Sequence, residues 1–254
     1  MAMAVVQEEA FVLSLRNWGE ADKMATLFTR GQGKVEVAAF GCRRQRSSLA
    51  APMQMFNLLE AHLLTGRRVF TLRKADILRH YRFVADFQAV AYASFIAEVA
   101  LRFLPENQPS PRMFDKLLHI FPALETKNPR IVALIAAYQI IDWAGLSLVL
   151  GQCQRTQVPL QGDAWLIFRE GGAVCKEAKQ ADDATLPLTE STRLFIESLR
   201  AYAWTEDAKL EVTREKLVEA EDILLRYLRY LLGRPLRSVA FLSQIAALPH
   251  SISS

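Results

Sequence analysis

The arginines between residues 41 and 48 are the most distinctive chemical feature of the sequence. Arg43, Arg44 and Arg46 follow no apolar pattern, so we expect their side chains to face solvent. A guanidinium group presents several N–H donors in one plane and fits phosphate oxygens well. This segment therefore predicts a site for a polyanion. To it we add the cations at the ends of the neighbouring predicted strands, which are Arg30, Lys34, Arg67, Arg68, Arg73 and Lys74.

Positive charge is concentrated in the first third of the chain. The 254 residues carry 31 Lys and Arg against 27 Asp and Glu, a net charge of +4. Residues 1–82 hold 13 basic and 7 acidic residues, whereas residues 83–254 hold 18 and 20. This asymmetry favours a basic, polyanion-binding domain joined to a near-neutral one. A solubilising surface is the simpler alternative.

The composition excludes several classes of protein. Apolar residues make up 51% of the chain and charged residues 23%, which is typical of a folded protein. Three cysteines are too few for a scaffold built on disulfides. No uninterrupted apolar run reaches the roughly 18 residues of a membrane span, and the start of the chain has no signal-peptide pattern. We expect a soluble cytoplasmic protein without membrane attachment.

The first eighty residues have the alternating pattern of short strands. Val35, Val37 and Ala39, for example, fall on one face of a strand, and Phe40 falls on the other. Five strands in this length leave no room for crossover helices, and they suit a small Greek-key barrel such as the OB-fold. The predicted strands lie around residues 11–15, 24–29, 34–40, 53–64 and 68–74, with a helix at 53–64 left open.

After residue 75 the apolar period becomes helical. Thr189 and Thr213 are predicted helix caps, and Gly233 is a predicted helix end. The resulting fold class is α+β: an OB-fold barrel over residues 1–80, then a mainly helical domain over 81–254 with a small hairpin inserted at 151–188. The helices are predicted at residues 75–104, 113–120, 130–150, 190–202 and 213–233.

Three phenylalanines of the predicted barrel admit two interpretations. Phe40, Phe56 and Phe70 are able to stack on nucleic-acid bases. Phenylalanine in a small barrel more often belongs to the core, and for each residue singly we favour the core. The basic cluster thus predicts a polyanion more strongly than it predicts bases.

Catalytic and cofactor motifs have little support. The four histidines are scattered without partners at motif spacing, and residues 31–34 join two strands as a turn, unlike a phosphate loop. We therefore predict no enzyme activity, no ATP use and no cofactor. Cys153 and Cys175 stand 22 residues apart, but the positions three residues after them are Thr156 and Ala178. Two thiolates cannot complete a tetrahedral zinc site, so we predict no metal.

The order of several segments resembles the RecO family of bacterial recombination mediators. Residues 15–23 are similar to that family's early Glu-x-Asp-Lys segment, and residues 41–49 to its Gly-x-Arg-x-x-x-Ser loop. The resemblance spans nearly the whole chain, and the order and spacing of its motifs carry it. The remaining matching segments are residues 27–34, 92–98, 114–118, 151–153 and 232–238.

The resemblance implies an OB-fold, a helical C-terminal domain and, in many members, a four-cysteine zinc site. This sequence departs from the zinc pattern at Thr156 and Ala178. The implied function is non-enzymatic: binding of single- and double-stranded DNA, annealing of complementary strands, and loading of RecA together with RecR. The implied contact with the C-terminal tail of single-strand-binding protein makes the cations near the end of the chain candidates for a peptide site. These are Arg226, Arg229, Arg234 and Arg237.

Two other functions stay open at this point. In one, the protein is an adaptor whose basic barrel binds an acidic segment of a partner protein. In the other, it is an undetected nuclease. A nuclease would need a carboxylate cluster for Mg²⁺, for which Asp182 and Asp183 are the adjacent pair.

Overall fold

The N-terminal part of the chain closes into a five-stranded barrel. The structure is a computed structural model that describes residues 4–205 and 207–246. The strand order around the barrel is β1-β2-β3-β5-β4, with β4 returning to β1. Neighbouring strands are antiparallel except β3 and β5, which run parallel. This is the OB-fold architecture that the sequence predicts. The strands are β1 Val5–Trp18, β2 Asp22–Thr29, β3 Gly33–Ala39, β4 Leu58–Leu64 and β5 Val69–Arg79.

Alternation along the strands fills the barrel. Val35, Val37 and Ala39 of β3 point inward and are at most 1% exposed, as their period of two predicts. The long connection after β3 adds Cys42, Leu49 and Met53 to the same core. Burial of a side chain of this kind stabilises the fold by about 1.5–3 kcal/mol. The barrel is therefore closed partly by residues outside its strands.

Two helices cover one side of the barrel. Helix α1 spans Phe87–Phe103 and helix α2 spans Pro111–Ala123. The ring of Phe11, on the outer face of β1, lies 5.1 Å from that of Phe114 in α2. The start of β3 meets the connection between the helices, where a Cβ on Gly33 would come within 2.0 Å of a backbone oxygen. Only glycine fits this close approach.

The helix predicted from residue 75 begins later. Residues 75–79 continue β5, since Ala75 pairs with Ala61 and Ile77 with Leu59 of β4. Pairing with a neighbouring strand overrides the local period of three and four. Helix α1 starts after Asp86, whose carboxylate accepts hydrogen bonds from two N–H groups of the first turn.

The chain divides into two compact units. The first ends at Pro129 and contains the barrel with α1 and α2, and the second begins at Arg130. The domain boundary predicted at residue 80 coincides with the end of the barrel strands and stays a prediction. The predicted second domain also includes residues 247–254, which lie outside the described residues.

The second unit is mainly helical with a small sheet. The predicted helix at 130–150 ends at Trp143, and the predicted hairpin gains a third strand to form a sheet of order β7-β6-β8. The predicted caps at Thr189 and Thr213 and the helix end at Gly233 are confirmed. The elements are α3 Pro129–Trp143, β6 Ala164–Ile167, β7 Gly172–Val174, β8 Leu186–Leu188, α4 Glu190–Ala201, α5 Arg214–Leu232 and α6 Arg237–Ala246.

A cluster of ionised side chains holds the inserted hairpin. Arg155 donates to both carboxylate oxygens of Glu170, at 2.6 and 3.0 Å, and to both of Asp183, each at 2.7 Å. Arg169 also donates to Asp183, whose side chain is inaccessible to solvent. Hydrogen bonds from Arg155 and from the Gln180 N–H lower the pKa of Asp183 to about 2. We call Arg155, Arg169, Glu170 and Asp183 the ionic clamp.

We predict that Asp183→Asn lowers the melting temperature at neutral pH by a few degrees, because Arg155 loses a charged partner. The folded-state pKa lies below its ordinary value of 3.8, so this contribution is present above that value and disappears as the pH falls through about 2. Thermal unfolding followed by circular dichroism between pH 7 and 2 measures it. Asp182→Asn, at an exposed neighbour, is the control and should change nothing. Equal effects of both substitutions would contradict the clamp.

Candidate nucleic-acid interface

The basic loop, residues 41–48, leaves the barrel in a direction set by backbone contacts. Gly41 adopts a positive φ of 65°, and its N–H donates to the Asp22 carboxylate at 2.7 Å. The Arg43 N–H donates to the Ala21 carbonyl at 2.8 Å. The loop is therefore tied at its start to the turn between β1 and β2.

The middle and end of the same connection are anchored by burial. Cys42 and Met53 are at most 1% exposed, and the Cys42 thiol contacts the Leu49 carbonyl at 3.4 Å. The buried amide of Asn57 donates to the carbonyls of Ala51 and Pro52. With these residues turned inward, the arginines between them are turned outward. Arg43, Arg44 and Arg46 are exposed, as the sequence predicts.

Most of the predicted DNA-binding cations have no acidic partner. Among residues 4–205 and 207–246, none of the following six pairs with a carboxylate within 4.0 Å, and all six are exposed. They are Arg43, Arg44, Arg46, Arg67, Arg68 and Arg73. An exposed guanidinium without an internal partner is free to contact phosphate.

Three other predicted cations are engaged within the first unit. Arg30 pairs with Glu9 at 2.6 Å and with Asp115 at 2.7 Å, and hydrogen bonds to these carboxylates raise its pKa. Lys34 is largely buried and donates to the Leu101 carbonyl at 2.8 Å. Burial lowers the pKa of Lys34. Both side chains join the barrel to the helices, so we leave them out of the interface.

Lys74, the third engaged cation, is exposed but lies 2.6 Å from Asp76. Asp76, Glu60 and His62 place their ligand atoms within 4.8 Å of one another on the outer face of the barrel. This donor set is of a kind that can hold a divalent cation. The Lys74 ammonium already supplies positive charge to Asp76, and we assign no metal there.

The aromatic residues divide differently from the sequence prediction. Phe56 and Phe70 are buried, as favoured, but Phe40 is 52% exposed and the preference for the core was wrong there. Phe40 lies next to the exposed ring of Trp18, with centroids 5.8 Å apart. Sequence reasoning treated Trp18 as part of a strand break. Alternation continued to the end of β1 would have placed it on the outer face with Arg16, which is also exposed.

The second predicted site lies along α5. Arg226 and Arg229 line two clefts, of about 370 and 560 Å³. The smaller is closed by Pro235, Leu236 and Val239, and the larger by residues of the inserted sheet. Arg226 pairs with Asp222 at 2.7 Å on the exposed surface. Arg234 and Arg237, beyond Gly233, are not among the residues that line these clefts.

The two cysteines of the hairpin lie close together. The Cys175 N–H donates to the Cys153 sulfur at 3.4 Å. Burial would raise the pKa of Cys153, but hydrogen bonds from Thr156 and from backbone N–H groups outweigh it and lower the pKa to about 6. Thr156 acts here as a donor to sulfur, and Ala178 has no ligand atom. The residues do not fit a four-sulfur zinc site, and a zinc-free protein stays a prediction.

The aspartates considered for a nuclease are not equivalent. The carboxylate of Asp183 belongs to the ionic clamp, whereas Asp182 is exposed. A metal at this pair would have to compete with Arg155 and Arg169 for Asp183. The pair therefore gives the nuclease hypothesis little support.

No helix within the described ranges is both long and apolar enough to cross a membrane.

Comparison with known proteins identifies the family. The model for the N-terminal part of recombination protein O matches residues 3–81, and the model for its C-terminal part matches residues 84–240. The chain belongs to the RecO family. This confirms the resemblance drawn from the sequence, and it assigns the chain a role in DNA repair and recombination.

Relatives in the RecO family match along almost their whole length. The DNA repair protein RecO of Pelotomaculum thermopropionicum is 27% identical over 248 residues, which cover 97% of each chain. That of Anaeromyxobacter dehalogenans is 30% identical over 93% of this chain and 95% of its own. That of Bacillus subtilis is 25% identical over 95% of both.

We predict that replacing Arg43, Arg44 and Arg46 with alanine lowers DNA affinity and flattens its dependence on salt. Each lost phosphate contact removes released counterions, so the slope of log affinity against log salt should fall by about 0.7–0.9 per contact. Fluorescence anisotropy over a series of salt concentrations measures both quantities. The control triple Arg82→Ala, Arg112→Ala, Arg214→Ala removes the same charge from exposed positions outside the basic loop. An equal slope change in both triples would remove the loop from the site.

Proposed function

We propose that this protein is a DNA-binding recombination mediator. In this proposal it anneals complementary single strands without ATP and helps to load RecA onto DNA coated by single-strand-binding protein. The observation that carries the proposal is the basic loop, whose three arginines are exposed and have no carboxylate partner among the described residues. Membership of the RecO family supports the same function.

Binding through this loop would be electrostatic and independent of sequence. Guanidinium groups contact phosphates, which are the same at every nucleotide, and the released counterions drive association. Single and double strands both present such phosphates. The loop is held at both ends by the barrel core, so its arginines are arranged before DNA arrives, and less conformational entropy is lost on binding.

Annealing follows from charge neutralisation. Two complementary strands repel each other through their phosphates until cations lower the charge between them. Base pairing then supplies the free energy of the reaction, and no nucleotide hydrolysis is required. The sequence contains no nucleotide-binding fingerprint, which agrees with a protein that is not an enzyme.

A strand-annealing assay without ATP tests the proposal. Complementary oligonucleotides coated with single-strand-binding protein are mixed, and duplex formation is followed by energy transfer between two dyes. We expect the wild-type chain to accelerate annealing, the basic-loop triple variant to lose most of this effect, and the Arg82/Arg112/Arg214 triple to retain it. No acceleration by the wild-type chain would reject the proposal. Cleavage of labelled strands with Mg²⁺ would instead favour a nuclease.

We further propose that the clefts beside α5 bind the C-terminal tail of single-strand-binding protein. An acidic, apolar peptide would place its carboxylates on Arg226 and Arg229 and its apolar side chains against Leu228 and Phe168. Phe168, Tyr227 and Tyr230 form an aromatic cluster with ring centroids 5.2–6.4 Å apart at the larger cleft. Arg234 and Arg237 are secondary candidates at its edge.

Calorimetric titration with an acidic peptide tests this site. We expect binding of the free-carboxylate peptide, weaker binding of the amidated peptide, and a loss of at least fivefold in the Arg226→Ala, Arg229→Ala double variant. Arg214→Ala, at the other end of α5, is the control. If both peptides bind alike and the double variant changes nothing, the tail does not bind at these clefts.

RecR and RecA are the remaining partners in this proposal, with RecA engaged indirectly through the loaded strand. They come from the family resemblance, and no described surface is assigned to them. Localisation in the cytoplasm, at the nucleoid, stays a proposal of the same kind.

The adaptor function is the alternative, because a guanidinium group pairs with a carboxylate as well as with a phosphate. Salt titrations against DNA and against an acidic peptide separate the two functions. Tighter binding of the peptide at the basic loop would favour the adaptor.

A further inference from the structure

Trp18 and Phe40 form an exposed aromatic pair at one end of the barrel. Trp18 is the last residue of β1, and Phe40 directly follows β3. They are 45% and 52% exposed, and their rings lie 5.8 Å apart at an interplanar angle of 50°. Trp18 pairs with Asp22 of β2, and the next residue of β2, Lys23, pairs with Ala39. The two rings therefore flank β2 and meet over it.

The backbone beneath the two rings is fixed. The Asp22 carboxylate between them accepts the Gly41 N–H, which joins β2 to the residue after Phe40. On the other side, the Arg43 side chain donates to the Gly19 carbonyl at 3.2 Å, next to Trp18. The rings are thus held near each other without being covered. Large aromatic side chains left exposed together often mark a binding surface.

The charges around the pair restrict what can occupy it. Arg16 stands two residues before Trp18 on the same strand, and Arg44 packs near Gly41, beside Phe40. Both are exposed, and neither pairs with a carboxylate in the described part of the chain. The acidic neighbours are Glu20, in the turn, and Asp22, which is occupied by Gly41. Aromatic faces surrounded by arginines suit a ligand that combines flat rings with negative charge.

We propose that Trp18 and Phe40 are a stacking platform for an unpaired base of single-stranded DNA. The neighbouring arginines hold the phosphates on either side of that base. The proposal rests on the DNA-binding function proposed above and adds a preference to it. In a duplex each base is already stacked on both faces, so the platform can bind a single strand but not an intact duplex. It would make single-strand affinity exceed what phosphate contacts alone provide.

Trp18 also supplies a direct signal of stacking. Four tryptophans occur in the chain, and Trp18 is the one on the platform. Stacking of a base on an indole ring quenches its fluorescence, whereas a phosphate contact nearby does not require it. The difference in emission between the wild-type chain and Trp18→Phe isolates Trp18. Trp18→Phe keeps an aromatic face and should therefore retain most of the affinity.

The experiment compares oligothymidine with a duplex of the same length, using wild type, Trp18→Ala, Phe40→Ala and Trp18→Phe. Phe87→Ala is the control, because it removes a phenylalanine that is 81% exposed on α1. We expect each platform alanine to weaken oligothymidine binding roughly 5- to 100-fold and to leave duplex binding unchanged. We expect the Trp18 emission to be quenched by oligothymidine and not by duplex. Phe87→Ala should match wild type.

The outcomes separate the platform from the DNA-binding function itself. An unchanged oligothymidine affinity in both alanine variants, or an equal loss on oligothymidine and duplex, would overturn the platform while DNA binding stands. Absence of quenching in the wild-type chain at saturating oligothymidine would overturn it as well. A wild-type chain that binds neither DNA would reject the proposed function and the platform together. If an alanine variant fails to fold by circular dichroism, the quenching and Trp18→Phe decide.

Discussion

The first unit depends on the anchoring of one long connection inside the barrel. Between β3 and β4 the chain runs through 18 residues without a strand, yet Cys42, Leu49 and Met53 enter the core with the strand side chains. Truncating a fully buried residue such as Met53 to alanine typically costs 2–5 kcal/mol. Because these residues turn inward, the arginines between them turn outward. The position of Phe40 beside Trp18 depends on the same anchoring, since Gly41 is hydrogen-bonded to Asp22.

The same charge has two physical roles in this unit. Arg30 stacks over the ring of Phe114 at 4.7 Å and pairs with Glu9 and Asp115, so it fastens α2 to the barrel. Lys34 does the same for α1 through a backbone carbonyl. The arginines of the basic loop do neither. A count of positive charges cannot separate these roles, because the difference lies in which residues of distant elements come within reach.

Sequence reasoning predicted the barrel because alternation of inward and outward residues is a local property. It predicted the caps at Thr189 and Thr213 for the same reason. It missed what depends on pairing across the fold: the extension of β5 to Arg79, the third strand β8, and the separate helix α6. At the candidate site it found the arginines, which are contiguous in sequence. It missed the partnership of Trp18 and Phe40, which are 22 residues apart and meet only when three strands align.

The ionic clamp has a consequence for the chemical robustness of the second unit. A hairpin fastened by a thiolate-bound metal comes apart when the sulfurs are oxidised or the metal is chelated. Neither reaction touches a guanidinium or a carboxylate, and Arg155 keeps its charge at any pH at which the protein folds. Because the Asp183 side chain is closed to solvent, dissolved salt also reaches the pair poorly. Oxidants and chelators therefore have no direct route to the interaction that fastens this hairpin.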